Sequence, residues 1–122
     1  SFYFIILDKE EKPIGTISLY NVSTFYAEFG RWICNGSALE SLESALLVHQ
    51  YAFDVLGLEM VYTRTLADNY KVVSFHRKFG AKISSTPYLE PEYGKNIFKG
   101  TVDIAMFREI QSRCRKIIEA LL

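Results

Sequence analysis

Alternating apolar and polar residues at the start of the chain predict strands. Residues 2–7 and 14–20 are rich in β-branched and aromatic residues, and a polar turn separates them, which indicates an antiparallel hairpin. A third strand is predicted over residues 25–34 and ends at Asn35 and Gly36, a pair that is typical of turns. The first part of the chain is therefore expected to form three consecutive strands.

The clearest helical pattern covers residues 37–56, where apolar side chains recur every three or four positions. Ser37 and Glu40 match a capping box, in which each side chain accepts a hydrogen bond from a backbone N–H of the first turn. Gly57 is placed to end the helix in a left-handed conformation. The apolar face consists of Leu39, Leu42, Ala45, Leu46, Ala52, Phe53 and Leu56.

The remaining patterns predict a short strand, a helix, two further strands and a last helix. Asp68 or Asn69 begins the middle helix and Gly80 ends it. The order β-β-β-α-β-α-β-β-α favours an α+β (mixed α/β) domain with a largely antiparallel sheet of about six strands. The predicted bounds are 60–65 for the short strand, 82–88 and 98–107 for the later strands, and 108–122 for the amphipathic C-terminal helix.

The amino-acid composition argues against several classes of function. The 122 residues suit a single domain over 1–122, and 49% of them are hydrophobic, which is enough for one core. The 14 basic residues balance the 14 acidic ones, so no basic surface for nucleic acid is indicated. Cys34 and Cys114 are the two cysteines and have no metal-ligand spacing. They do not establish a disulfide framework, so we expect a cytoplasmic protein. No apolar stretch is long enough to span a bilayer, and no metal, nucleic-acid or membrane partner is expected.

Several stretches, taken in order and spacing, resemble the GNAT superfamily of N-acetyltransferases, with coverage of roughly residues 3–107. The spacing from Glu43 to Leu58 is similar to the branch that holds ribosomal-protein alanine and amino-sugar-nucleotide N-acetyltransferases. Residues 99–103 also resemble the last strand of that branch. The stretches that carry the resemblance are residues 14–19, 28–33 (Glu-Phe-Gly-Arg-Trp-Ile), 43–53 and 68–80.

The resemblance implies a GNAT-like twisted sheet with flanking helices. Its third and fourth strands are expected to be neighbours, joined by a right-handed crossover through the long helix, and to splay apart at their C-terminal ends. The pantetheine arm of acetyl-CoA would lie in that gap. A complete family member carries a first strand and two helices before the hairpin, so the chain is expected to lack them and to hold mainly the cofactor half of the domain.

The same resemblance assigns cofactor-binding positions on the third strand and the middle helix. The pantetheine arm would hydrogen-bond to the backbone of Trp32, Ile33 and Cys34. Asn69 would reach the cofactor amide, or would only cap its own helix.

The pyrophosphate of the cofactor would sit at the start of the long helix, at Gly36, Ser37 and Ala38, because free N–H groups there attract anions. The sequence departs from the family at this point. Ser37 and Leu39 stand where relatives carry two glycines, and Glu40 adds a negative charge that would repel phosphate. A helix that is merely well capped is therefore an alternative to a phosphate site.

Two residues are candidates for proton transfer. Glu28 matches a position where relatives often carry a glutamate that acts as a base through water; the alternative is a solvent-facing residue or an ion-pair partner of Arg31. His76 stands where many relatives carry a tyrosine that protonates the leaving thiolate, and an imidazolium would serve the same purpose. The alternative for His76 is packing among Val72, Phe75 and Phe79.

These observations favour an acetyl-CoA-dependent N-acetyltransferase that works by direct transfer. The expected acceptor is a small-molecule amine, with an amino-sugar nucleotide preferred, or the N-terminal amine of a protein such as a ribosomal protein. A homodimer is a further partner hypothesis. A catalytically degenerate GNAT-fold binding or regulatory module is the alternative function, and a small ligand-sensing domain is a more remote one.

Overall fold

The computed structural model describes residues 1–121, and its elements follow the predicted order with one strand added. The strands are β1 (Phe2–Leu7), β2 (Pro13–Tyr20), β3 (Tyr26–Cys34), β4 (Met60–Leu66), β5 (Lys82–Ile83), β6 (Tyr88–Glu90) and β7 (Lys95–Asp103). The helices are α1 (Ala38–Gln50), which continues into a π-helical turn (Tyr51–Val55), α2 (Tyr70–Phe79) and α3 (Ile104–Leu121).

All of these strands belong to one sheet, in the order β1-β2-β3-β4-β7-β5, with β6 paired to β7. The β3–β4 pair is parallel, and the other pairs within residues 1–121 are antiparallel. The predicted α+β class with a largely antiparallel sheet is confirmed. The parallel pair is the one that α1 connects, because a parallel neighbour needs a long crossover rather than a tight turn.

The parallel strands β3 and β4 are neighbours only near their N-terminal ends. Pairing runs from Tyr26 opposite Met60 to Glu28 opposite Tyr62. Beyond this point, residues 29–34 of β3 and residues 63–66 of β4 do not pair with each other. The predicted divergence of the two strands is therefore confirmed, and it leaves unpaired backbone groups along the facing edge of β3.

A β-bulge lies in the diverging part of β3. The register between β2 and β3 shifts between Thr16 and Ser18, and Arg31 has a positive φ of 49°, a conformation that is strained for a residue with a side chain. Gly15 permits the close approach of β2, because a Cβ there would lie 1.9 Å from the Ile33 carbonyl oxygen. The bulge puts Trp32 back on the face that Phe29 occupies, with 5.5 Å between the ring centroids.

The three helices pack on one face of the sheet and form a single core. Buried residues of α1, α2 and α3 join apolar residues of the central strands in one cluster, as the alternation of each strand requires. The opposite face carries polar and aromatic side chains together with the exposed Tyr3 and Ile5 of β1. The core includes Leu19, Phe29, Ala45, Phe53, Val61, Phe79, Val102, Phe107 and Ile110.

The predicted helix ends are confirmed in detail. Ser37 accepts a hydrogen bond from the N–H of Glu40 at 3.1 Å, and the Glu40 carboxylate accepts one from the N–H of Ser37 at 2.9 Å, which completes the capping box. Asn69 caps α2 by accepting from the N–H of Val72 at 3.4 Å. Gly57 and Gly80 adopt positive φ values of 66° and 121°, which glycine tolerates because it has no Cβ.

Two predicted strands and the start of the last helix were wrong. Residues 82–88 do not form one strand, since β5 contains only two residues and β6 begins at Tyr88. The strand predicted over 98–107 ends at Asp103, and α3 begins at Ile104 rather than at 108. Asp103 accepts a hydrogen bond from the N–H of Met106 at 2.8 Å, so this side chain caps a helix whose first residues are as apolar as a strand. Leu122, the last residue of the predicted helix, lies outside the described residues.

Candidate active site

A cavity of about 780 Å³ lies on the helix side of the sheet, next to the diverging end of β3. Its walls come from β3, the first turns of α1, one face of α2 and the middle of α3. Four predicted cofactor-binding residues line it: Trp32, Cys34, Gly36 and Ala38. The structure therefore brings together residues that the sequence places on different elements.

Three other predicted cofactor-binding residues do not line this cavity. The Ile33 side chain is 62% exposed and its residue pairs with Thr16 of β2. Ser37 is engaged in the capping box, and Asn69 caps α2. The Ile33 carbonyl oxygen also faces β2 rather than the gap beside β4, since a Cβ on Gly15 would lie 1.9 Å from it. Asn69 stands at the helix start where β4 leads into α2.

Glu28 is fully buried on the other face of the sheet, where both oxygens of its carboxylate are occupied. Arg64 binds it in a bidentate manner, with Nη2 donating to Oε1 at 2.8 Å and Nε donating to Oε2 at 3.0 Å. Asn21 donates to Oε1 at 2.9 Å, and the Tyr20 hydroxyl donates to Oε2 at 3.0 Å. The predicted solvent-facing position and the ion pair with Arg31 are both wrong, because Arg64 of β4 is the partner. The guanidinium of Arg31 lies instead over the Tyr20 ring, 4.3 Å from its centroid.

Arg64 also joins β4 to the loop between β6 and β7. Its Nη1 lies 2.7 Å from Glu92 and 3.5 Å from Glu90, and its guanidinium lies 4.8 Å from the centroid of the Tyr93 ring. The hydrogen bonds that Arg64 donates to Glu28 raise the pKa of Arg64, so the guanidinium stays charged. One cation thus holds three carboxylates beside the apex of the β3–β4 gap.

A cleft of about 440 Å³ opens over this network. Tyrosine rings and carboxylates dominate its lining, and Lys99 adds a positive charge, 5.1 Å from the Tyr62 ring centroid. Burial raises the pKa of Tyr62, and the Glu28 carboxylate adds to this shift; the same two causes raise the pKa of Tyr20. Both phenols therefore stay protonated at neutral pH. The lining residues are Asn21, Tyr26, Met60, Tyr62, Arg64, Tyr88, Glu90, Glu92 and Lys99.

His76 is buried in an aromatic cluster on the helix side, with 4% of its surface exposed. Its ring centroid lies 5.4 Å from that of Phe29 and 6.1 Å from that of Trp32. Burial, and after it the nearby His49, lowers the pKa of His76 to about 4. The imidazole is therefore neutral at pH 7 and packs against rings, as one of the two sequence-based hypotheses expected.

Comparison with known proteins decides the family. A sequence model described as an acetyltransferase (GNAT) domain matches residues 1–82. The chain belongs to the GNAT acetyltransferases. No curated protein sequence matches it significantly.

Solved structures share this GNAT fold. The nucleotide-linked sugar GNAT FdhC, in its apo form, is 30% identical with a TM-score of 0.77, covering 91% of this chain and 61% of that one. A GCN5-related N-acetyltransferase from Brucella melitensis is 17% identical with a TM-score of 0.82, covering 94% and 56%. The Campylobacter jejuni N-acetyltransferase PseH, in complex with acetyl coenzyme A, is 17% identical with a TM-score of 0.67, covering 84% and 67%. The chain thus spans about three fifths of the length of the first two.

Sequence reasoning missed part of this candidate site. Arg64 was not predicted, although strand alternation places it on the same face of β4 as Tyr62, which is paired with Glu28. Glu90 and Glu92 lie between two predicted strands, and no role was predicted for them. A charged residue within each of two predicted strands, Glu28 in β3 and Arg64 in β4, was the available signal, since such residues are buried only when paired. No group of three potential metal ligands occurs within residues 1–121, and no helix in that range is long and apolar enough to span a membrane.

Proposed function

We propose that the chain transfers an acetyl group from acetyl-CoA to a primary amine by direct transfer. The observation that carries the proposal is the gap between β3 and β4, with the 780 Å³ cavity on its helix side and the 440 Å³ cleft on its other side. A long thioester cofactor would enter from the cavity, and the amine would enter from the cleft. The reacting carbon would then lie near the apex of the gap.

The residues present fit the arm of this cofactor. Residues 29–34 of β3 have no partner strand on the β4 side, so the backbone groups on that edge that β2 does not engage are available to the amides of pantetheine. Trp32 and Cys34 would supply these groups, whereas the Ile33 carbonyl oxygen faces Gly15 of β2. Asn69 would add a side-chain amide from the start of α2. Gly36 and Ala38 would lie beside the nucleotide end of the cofactor.

The reaction needs one proton removed and one returned. The amine nitrogen forms a bond to the acetyl carbon while the carbon–sulfur bond breaks; the amine loses a proton and the thiolate gains one. Glu28 is proposed to act on the amine through water, which requires it to give up the hydrogen bond from Tyr20 or from Asn21. Because both of its oxygens already accept two hydrogen bonds, its first effect is to hold Arg64 in place.

An amino-sugar nucleotide is the preferred acceptor. Tyr26, Tyr62 and Tyr88 line the cleft and would contact the base or the sugar, and the ammonium of Lys99 would contact a diphosphate. FdhC, which is described as a nucleotide-linked sugar GNAT, is 30% identical to this chain. The N-terminal amine of a protein, such as a ribosomal protein, is the second acceptor class.

Turnover with a panel of amines tests this proposal. The chain is incubated with acetyl-CoA and an amino-sugar nucleotide, a peptide with N-terminal alanine, or a polyamine, and the acetylated product is measured by mass spectrometry. The product's mass avoids interference from Cys34 and Cys114 in thiol assays. We expect the sugar nucleotide to be acetylated fastest, and faster acetylation of the peptide would reverse the order of acceptors.

A catalytically degenerate binding or regulatory module is the second candidate function. The capping box favours it, because Glu40 and Ser37 already satisfy each other's backbone N–H groups at the start of α1. Calorimetric titration with acetyl-CoA separates the candidates. Binding together with acetylation of an acceptor supports the enzyme, whereas binding without product from any acceptor supports the module.

Glu40→Gln tests whether the CoA phosphates sit at the start of α1, as the family resemblance implies. If they do, the substitution should tighten CoA binding, because it removes a negative charge beside them while glutamine can keep the capping box. The gain should shrink as salt is added, because mobile ions screen exposed charges. Glu43→Gln is the matched control, since Glu43 lies one turn further along α1, whereas the Glu40 carboxylate lies at the helix start beside Gly36, a residue that lines the cofactor cavity. Equal affinities for Glu40→Gln and the native chain at low salt would place the phosphates away from this helix end.

His76→Phe is expected to keep most of the turnover, because the phenyl ring suits an aromatic cluster in which the imidazole is neutral. His76→Tyr is the matched variant that restores a hydroxyl donor. Should Phe lose turnover by roughly 10²–10⁴-fold while Tyr keeps it and the cofactor's Kd is unchanged, His76 would be the proton donor of the thiolate.

A further inference from the structure

The charged residues that line the cavity on the helix side of the sheet are all basic. Lys71, Lys78 and Arg113 line it, and none of its lining residues is acidic. The whole chain has equal numbers of basic and acidic residues, so this segregation is a local feature. Three cations around a concave surface raise the local concentration of anions.

The start of α1 is partly blocked as an anion site at this cavity. Two of the N–H groups of its first turn, those of Ser37 and Glu40, are occupied by side chains of the capping box. The Glu40 carboxylate also lies over Gly36, since a Cβ there would be 2.8 Å from Oε1. A phosphate that approached this end of α1 would meet a negative charge.

The two lysines of α2 are placed to contact separate anionic groups. They lie seven residues apart, which is two helical turns, so both project from one face with about 10 Å between their positions along the axis. Neither lysine has a carboxylate within ion-pair distance in residues 1–121. Arg113 donates to the carbonyl oxygens of Lys78 and Phe79, so α3 fixes a second cation beside Lys78.

We infer that side chains of α2 and α3, rather than the start of α1, bind the phosphates of CoA in this chain. Lys71 lies at the first turn of α2, nearer the strand gap, and contacts the diphosphate. Lys78, with Arg113 beside it, contacts the 3′-phosphate of the ribose. This inference rests on the proposed use of acetyl-CoA, and it predicts that the chain distinguishes CoA from 3′-dephospho-CoA by charge.

The test measures the affinities of CoA and 3′-dephospho-CoA for the native chain and for two variants by calorimetric titration at low salt. The native chain should bind CoA roughly tenfold more tightly than 3′-dephospho-CoA, as expected for a charge-assisted contact. Lys78→Gln should abolish this preference by weakening CoA binding alone. Lys71→Gln should weaken both ligands by similar factors, because both carry the diphosphate.

Controls separate this inference from the proposed function. Lys95→Gln, at an exposed lysine of β7 outside the cavity, should leave both affinities unchanged, and thermal unfolding should show that all variants are folded. If the native chain binds CoA but Lys71→Gln and Lys78→Gln bind it equally well, the inference is overturned while the proposed function stands. If the native chain binds neither ligand, the proposed use of acetyl-CoA fails and the inference with it.

Discussion

Arg64→Met is expected to lower the free energy of unfolding by about 3–5 kcal/mol, the usual result of removing one partner from a buried ion pair. The Glu28 side chain is fully buried and that of Arg64 is 10% exposed. Methionine would fill much of the volume but would leave the Glu28 carboxylate with donors only from Tyr20 and Asn21. Glu90 and Glu92 would also lose their shared cation.

Chemical denaturation monitored by the single tryptophan measures this loss. Arg31→Met is the matched control, because Arg31 is an exposed arginine on the neighbouring strand whose contacts are with Tyr3 and Tyr20; its cost should be about 1 kcal/mol or less. Adding Glu28→Gln to Arg64→Met should recover part of the stability, since the unpaired charge is removed. If Arg64→Met costs no more than Arg31→Met, the buried network contributes nothing specific to the fold.

The sequence alone predicted the features that depend on contacts between residues close together in the chain. Ser37 with Glu40, and Asn69, were placed as caps because their hydrogen bonds reach only three residues along the chain. The parallel β3–β4 pair followed from the length of the α1 connection. In contrast, the start of α3 was missed because residues 104–107 are as apolar as a strand, and only the Asp103 cap distinguishes them.

The candidate site was less predictable because its contacts are distant in sequence. Glu28 and Arg64 are 36 residues apart, and their pairing depends on the register between β3 and β4. The bulge at Arg31 changes which side chains of β3 face the helices, and the only local sign of it in the sequence is Gly30 inside the strand. Lys78 and Arg113 meet only because α3 packs beside the end of α2. Strand alternation and helix periodicity predict which face of an element is buried. They do not predict which other element packs against that face.

Acid should destabilise the fold steeply, starting near neutral pH. Burial lowers the pKa of His49 to about 4, although its hydrogen bond to the Ala45 carbonyl opposes the shift. Burial also lowers the pKa of His76 to about 4, with His49 adding to the effect. Both histidines have a pKa near 6.5 in the unfolded chain. Between pH 6.5 and 4 the unfolded chain therefore binds more protons than the folded one, so stability is fully present above this window and is lost as pH falls through it.

Each histidine should contribute a slope of about 1.4 kcal/mol per pH unit in the steepest part of this window. His49→Phe and His76→Phe should each remove one such slope, because a phenyl ring takes up no proton. At position 49 it would pack among Phe29, Phe79 and Phe107, and at position 76 against Phe29, Trp32 and Phe75. Urea denaturation at pH 7.5, 6.0 and 5.0 measures the change. The double variant should be nearly independent of pH between 6.5 and 5, above the range in which most carboxylates titrate. A double variant that loses stability as steeply as the native chain would show that the acid sensitivity arises elsewhere.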